Sequence, residues 1–394
     1  MSTLKVDNIR HNSATSDAIT MASDGTCTAN ITNNLSNRRI NVNGALNVAQ
    51  RGTSFSSTSG GNFFADRYKV GFNTISAGTC VTSQQSLTSS DAPYALGFRK
   101  YGRLALGQAG TAAGTSFIEV LHKFEGQDIN ASGWDHTSSS SNFTVSFWFR
   151  CSTNQTFYVN LRSRDGTSYV YTYSFTASGN NTWTKITKTI PGNSNVQIDN
   201  DNGAGLDCRI WIFAGTDYTA SVTLDQWRAY DTASRVPDMA TTWLTAGAST
   251  IDFTGFQFEA GSVATDYEHR SVADELARCQ RYFYMCADGT RGKSGTNRAP
   301  ICTGAMYNSS NFNGVVNFPV EMRTTPSLYK IVGSGYFRIW GNGGSDGCND
   351  VVLEGSSPQC GIANIYDGLS QTSGSATWAT TDNAACRLGF QAEL

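Results

Sequence analysis

The chain has 394 residues, more than one hydrophobic core ordinarily serves, and only 15% of them are charged. A net charge of −2 and the lack of any Lys/Arg run leave no electrostatic footprint for nucleic acid or an anionic membrane, so neither is an expected partner. No apolar run approaches the roughly 18 residues of a membrane helix, and the opening MSTLKVDNIRHNS lacks a charged-then-apolar signal, so membrane insertion and ordinary secretion are not expected.

Residues 1–38 carry only brief alternations, such as Leu4 and Val6, between polar clusters. So thin a segment cannot bury a core alone, and it reads as an attachment arm ordered by sister chains or by a larger assembly, the alternative for an isolated chain being a disordered tail. From Ile40 the pattern becomes steady. In NFTVSFWFR, Phe143, Val145, Phe147 and Phe149 share one face, and Thr144, Ser146, Trp148 and Arg150 share the other. Short alternating runs of this kind, separated by Ser/Gly/Asn turns, predict an all-β fold, an antiparallel sandwich over residues 39–265. The charged and aromatic residues of the second face predict a sheet surface that is partly open.

Towards the end of this region Ile251 and Phe253 alternate, and then the phase slips across Gly255 so that Phe256 and Phe258 carry the apolar face. A slip of one residue at a glycine predicts a β-bulge. A short helix follows within a connecting segment, 266–290. Ser271 is placed to cap it, Asp274 and Glu275 put negative charge on its first turn, and Val272, Leu276 and Cys279 form one apolar face. Residues 291–394, with YFRIWG, DVVLEG, GIANIYDG, ATWATT and CRLGFQAEL, read as a smaller C-terminal β domain.

The ten cysteines show no CxxC pair and no nearby His, so they read as small apolar filler; only Cys348 and Cys360 merit a check for a bridge. ADGTRGKS, from Ala287 to Ser294, lacks the first glycine and the following helix of a phosphate-binding loop, and reads as a surface turn. Asp199, Asp201 and Gly203 open a calcium-like pattern without its closing glutamate, so an ordinary turn is expected and a weak calcium site is the alternative. His136 beside Asp135 has no partnered serine, and His269 is explained by packing at the helix start. No catalytic residue, metal ligand or cofactor is assigned.

The elements INVNGALNVAQRGTS, FFADRY, VSFWFR, NTWTKITKTIPG, DNGAGL and FQFEAGSVATDYEHRSVADELARCQRYFY resemble, in that order, the hallmarks of tail-fibre proteins of marine bacteriophages. STLKVDNIR with DAITMASDGTCTANIT is similar to the N-terminal arms of such fibres, and VVNFPVEMRTTPSLY to a strand that often opens their C-terminal part. Asp266 departs from the family, which usually has Pro in a GSVATPFE-like run, and this loosens the exit from the last strand. The resemblance implies a jelly roll akin to carbohydrate-binding modules, and a homotrimer located in the virion tail after assembly in the host cytoplasm. It also implies attachment to other tail proteins through residues 1–38 and adsorption to a host surface glycan.

An aromatic face for the apolar side of a pyranose and polar groups for its hydroxyls are what such binding requires. In the jelly roll these criteria select Trp148, Arg150, Tyr158 and Tyr171. In the C-terminal domain, read as the receptor-binding tip, they select Tyr336, Trp340, Asp346, Asn349 and Trp378. The helix is expected near a threefold axis, with Val272, Leu276 and Cys279 facing sister subunits. The alternatives are a tail-spike polysaccharide depolymerase and a tail adaptor or decoration protein without receptor contact.

Overall fold

The computed structural model describes residues 5–23, 27–29, 38–57, 60–76, 80–341 and 343–394. It is nearly all β, and every pair of named strands in it is antiparallel. The larger unit is a jelly-roll sandwich of two sheets. One runs, in spatial order, Thr184–Pro191, Asn142–Cys151, Ser249–Ala260, Lys100–Leu106, Cys80–Ser86 and Ser54–Ser57. The other runs Trp227–Ala229, Tyr169–Ser178, Asn154–Ser163, Ala204–Ala214, Thr111–Glu125, Tyr68–Ser76 and Gly60–Ala65.

The predicted inward face forms the core: Phe143, Val145, Phe147 and Phe149 pack with Phe157, Val159, Leu161 and Phe253. The bulge is present as well. Phe147 alone stands opposite Gly255 and Phe256, with Ser146 paired to Gln257 and Trp148 to Thr254. Gly255 sits at φ +66°, and a Cβ there would lie 2.7 Å from Phe98 Cζ, so both conformation and space require glycine.

The second face is partly open, with Lys185 and Thr187 exposed and Trp148 and Arg150 half-buried, but part of it is covered: Asp252, Thr254, Gln257 and Glu259 are all buried. The cause is hydrogen bonding. Glu259 accepts from Thr265 N and Oγ1, and Gln257 donates to Thr265 Oγ1 and accepts from Glu268 N, so the polar face straps down the crossing chain.

Ser271 caps the helix Val272–Gln280 as expected, its hydroxyl accepting from Asp274 N at 3.1 Å. Two of the three residues of its apolar face are a further correction. Cys279 is buried inside this same chain with Val42, Val48 and Tyr282, Leu276 packs on that cluster, and Val272 is 63% exposed. Leu276 and Cys279 therefore contribute to an intrachain seam. Glu275, read as a dipole charge, is 3% exposed and pairs with the buried Arg39.

The second unit begins earlier than the sequence boundary at 291, because Phe283–Asp288 pairs with Arg387–Gln391, which in turn pairs with Ser327–Ile331. A seven-stranded sheet completes it, in the order Gly344–Cys348, Phe337–Gly341, Ala376–Thr381, Pro300–Met306, Asn311–Asn317, Cys360–Tyr366 and Asp350–Ser356. Met306, Phe312, Phe337, Ile339, Ile365 and Phe390 form its core.

The described part of the N-terminal segment makes its own sheet of Asn8–Ile9, Ile19–Met21 and Cys27–Ala29, with Ile9 exposed. Leu4 and positions 30–37 lie outside the described residues. Cys348 and Cys360 are free thiols.

Buried charges close the seam between the units. Glu125, with a fully buried side chain, accepts from Arg281 Nε at 2.7 Å, from Arg281 Nη2 at 2.8 Å and from Tyr282 Oη at 2.5 Å. Glu393 joins Arg51 and Arg67. Removing one member of a buried pair leaves the other uncompensated, so Glu275→Gln is expected to lower unfolding free energy by ~3–5 kcal/mol in denaturant titration.

A second outcome follows from Asp128. Burial, with the Glu125 charge adding, pushes its carboxyl up to about 6. The folded state thus favours the protonated form, and this contribution is full below about pH 4 and lost as pH rises through about 6. Asp128→Asn should stabilise the protein by up to ~3 kcal/mol at neutral pH and give no gain below about pH 4, as read by denaturant unfolding across pH.

Candidate functional site

Strand alternation places Phe337 and Ile339 in the second core and turns Arg338 and Trp340 to the other face of the seven-stranded sheet. Trp378, on the neighbouring strand Ala376–Thr381, stands directly opposite Trp340. The two indoles stack with centroids 5.3 Å apart and planes 16° apart. Trp378 remains 46% exposed, while Trp340 is half-buried.

The inner ring is fixed by its surroundings. Trp340 Nε1 donates to Thr380 Oγ1 at 3.1 Å, and the Arg298 guanidinium lies 4.7 Å from the Trp340 ring. Arg298 and Arg338 both bind Asp382, at 3.0 and 2.6 Å, which orients two cations with one carboxylate. Arg338 Nη1 also donates to Ser345 Oγ at 3.1 Å.

Beside the rings a shallow groove of about 510 Å³ is lined by Trp340, Gly341, Gly343, Gly344, Ser345 and Trp378. Gly343 turns the hairpin at φ +75°, and a Cβ at Gly343 or Gly344 would meet no atom within 4 Å. Gly343 and Gly344 therefore place no side chain against the pair, and Trp378 carries its exposed ring surface. Among the described residues that line the groove, none carries a carboxylate or an imidazole. Parallel aromatic faces bordered by guanidinium and hydroxyl groups can hold a ring that has one apolar side and polar edges.

Of the nine residues selected from the sequence, the structure brings together Trp340 and Trp378. Asp346 pairs with Ile339, on the opposite side of the sheet, and its Oδ2 accepts from Ser370 N at 3.0 Å. Asn349 anchors turns: its Oδ1 accepts from Gly335 N at 2.8 Å, and its Nδ2 donates to Asp367 Oδ2 at 3.1 Å. Tyr336 packs against the second core.

In the jelly roll, Trp148 is half-buried and lines a pocket of about 270 Å³ with Phe98, Lys185, Asp266 and Tyr267. Arg150 is committed to Asp91 and Asp252, at 2.8 and 2.6 Å, and lies over Trp183. Tyr158 packs with Trp211, Tyr218 and Met239. Tyr171 is 4% exposed in the core against Trp227, and burial, with Asp225 adding, pushes its hydroxyl up to about 12. It offers no ring face to a ligand.

Asp201 Oδ1 accepts from Gly203 N at 2.8 Å, and Asp165 Oδ2 accepts from Asp199 N at 2.9 Å, so the calcium-like run is a hydrogen-bonded turn. Among the described residues no cluster of three or more His, Cys, Asp or Glu is placed to hold a metal ion. Sequence reasoning missed Arg298, Arg338, Ser345 and Asp382. Arg338 was accessible through the alternation of YFRIWG, whereas no local pattern around Arg298 points to the Trp340 ring.

No family model and no curated protein matches the chain. Among solved structures it is similar to the enzymatically active domain of tailspike protein 4 of bacteriophage CBA120, with a TM-score of 0.28 and 10% identity over 54% of this chain and 22% of that one. The chain thus spans less than a quarter of that tailspike structure. It is also similar to TmCBM61 in complex with β-1,4-galactotriose, with a TM-score of 0.25 and 8% identity over 49% of this chain and 88% of that one. A family 30 carbohydrate-binding module gives a TM-score of 0.24 and 12% identity, over 56% of this chain and 86% of that one.

Because Trp378 is the outer ring of the pair, Trp378→Ala is expected to cost about 1 kcal/mol of stability through lost stacking, as read by denaturant unfolding. A loss above ~3 kcal/mol would mark it as a core residue rather than an open face.

Proposed function

We propose that this protein is an adhesin that binds a surface polysaccharide on the Trp340–Trp378 pair, as part of a bacteriophage tail fibre attached to the tail through residues 1–38. The observation that carries the glycan reading is the half-exposed Trp378, stacked on a fixed Trp340 above a glycine hairpin, with Arg338 and Ser345 at the edge. A pyranose ring laid on the indole covers its apolar face, and its hydroxyls meet the guanidinium and hydroxyl groups beside it.

The fibre reading rests on the ordered resemblance of residues 1 to about 290 to tail-fibre proteins. Its separate N-terminal sheet, followed by two β units, suits a fibre held at one end. A homotrimer would present three such platforms, and avidity among weak sites would supply adhesion without covalent chemistry. A host surface polysaccharide is then the partner.

Affinity electrophoresis through gels containing candidate host polysaccharides tests the platform. The unaltered protein is expected to be retarded by its receptor polysaccharide, and Trp378→Ala to migrate as in a blank gel. Equal retardation of the two would refute binding at the pair. Release of reducing ends from the retarding polysaccharide would replace adhesion with a depolymerase.

A further inference from the structure

We infer that the cleft between the two β units is a second binding site, for a carboxylate-bearing saccharide. The cleft has a volume of about 390 Å³, within the range of roughly 300–1,000 Å³ in which small ligands bind. One wall comes from the outer face of the seven-stranded jelly-roll sheet. There Phe63 pairs with Lys69, and Lys69 pairs with Leu121, so an aromatic ring, an ammonium and an aliphatic side chain stand in one row across three strands. The other wall comes from the second unit, with Arg323, Thr324, Thr325 and Ser327.

Cations outnumber anions in the cleft lining. Arg67, Lys69, Lys123 and Arg323 face the Glu393 side chain, which is engaged by Arg67 and by Arg51, and the carboxylate of Leu394. Lys123 Nζ donates at 2.7 Å to a backbone oxygen of Leu394, which as the last residue of this chain is a carboxylate oxygen, so this cation is engaged. Arg323 reaches only carbonyl oxygens: Nε to Ala392 at 2.7 Å, Nη1 to Asn202 at 2.8 Å and Nη2 to Glu393 at 3.0 Å. These bonds fix the guanidinium, on which the Glu125 charge acts from a distance, and among the described residues two of its five N–H groups stay uncommitted. Lys69 lies along Gly61, where a Cβ would be 2.4 Å from Lys69 Cε, and among the described residues no carboxylate pairs with it.

In a chain of net charge −2, this local excess of cation attracts an anion. A bare inorganic ion would use the cations alone. Phe63 and Leu121 add an apolar wall, and Thr324, Thr325 and Ser327 add hydroxyl groups, so the lining matches a sugar ring that carries an acid group. The inference is independent of the tryptophan pair, which lies on a different sheet.

Isothermal titration calorimetry of the full chain with D-glucuronate tests it, with D-glucose and inorganic sulfate as parallel titrants. Glucuronate is expected to bind saturably and to weaken as salt is raised, while glucose gives no binding and sulfate binds more weakly. Lys69→Glu, whose fold is checked by circular dichroism, should weaken glucuronate by roughly tenfold or more, and Lys69→Ala by less. No saturable binding of glucuronate, an unchanged affinity in a folded Lys69→Glu protein, or sulfate binding as tightly as glucuronate would overturn the assignment.

Discussion

Arg39 and Glu275 form an ion pair with 1% and 3% of their side chains exposed, and much of the architecture depends on it. Taking both charges out of water is costly, so the pair forms only where the geometry is defined on both sides. Arg39 stands at the start of the sandwich and Glu275 on the helix that leaves it. Glu268 accepts from the Arg39 backbone N–H, and Arg270 lies 3.6 Å from Glu275, so the exit segment is tied to the entry segment. Glu125 with Arg281, and Glu393 with Arg51 and Arg67, continue the same device across the seam. The second unit is thereby fixed against the first.

That fixed seam gives both proposed sites their meaning. The inter-unit cleft keeps its shape only if Arg323 remains bonded to Asn202 in one unit and to Ala392 and Glu393 in the other. The tryptophan platform is more autonomous, because one antiparallel sheet sets it. Its inner face is committed to the core through Phe337 and Ile339, so the alternate positions Arg338 and Trp340 must face outward. Cross-strand register then puts Trp378 against Trp340.

Much of this was legible in the residues. The face of Phe143, Val145, Phe147 and Phe149, the bulge at Gly255 and the Ser271 cap each depend on local periodicity or on one residue's conformational range, which sequence displays. What covers a face is a different matter. The face of Trp148 and Arg150 was read as partly open because polar positions alternate there, and both are half-buried, but the alternation did not show that Glu259 and Gln257 serve as buried hydrogen-bond partners for a strand-crossing segment. The stripe of Leu276 and Cys279 was read correctly as apolar but assigned to a sister chain, since periodicity does not say whose surface it meets. Trp340 and Trp378 were both selected, but their stacking is set by the register of strands distant in sequence. The same holds for Arg298, which reaches the Trp340 ring only through the fold.

Titration of oligosaccharides from the retarding polysaccharide into isotope-labelled protein, followed at the indole N–H signals, tests the tryptophan platform most directly. The signals of Trp340 and Trp378 are expected to shift together and saturate, while those of the fully buried Trp211 and Trp243 stay in place. Saturable binding that leaves the Trp378 and Trp340 signals unmoved would contradict a glycan site on this pair.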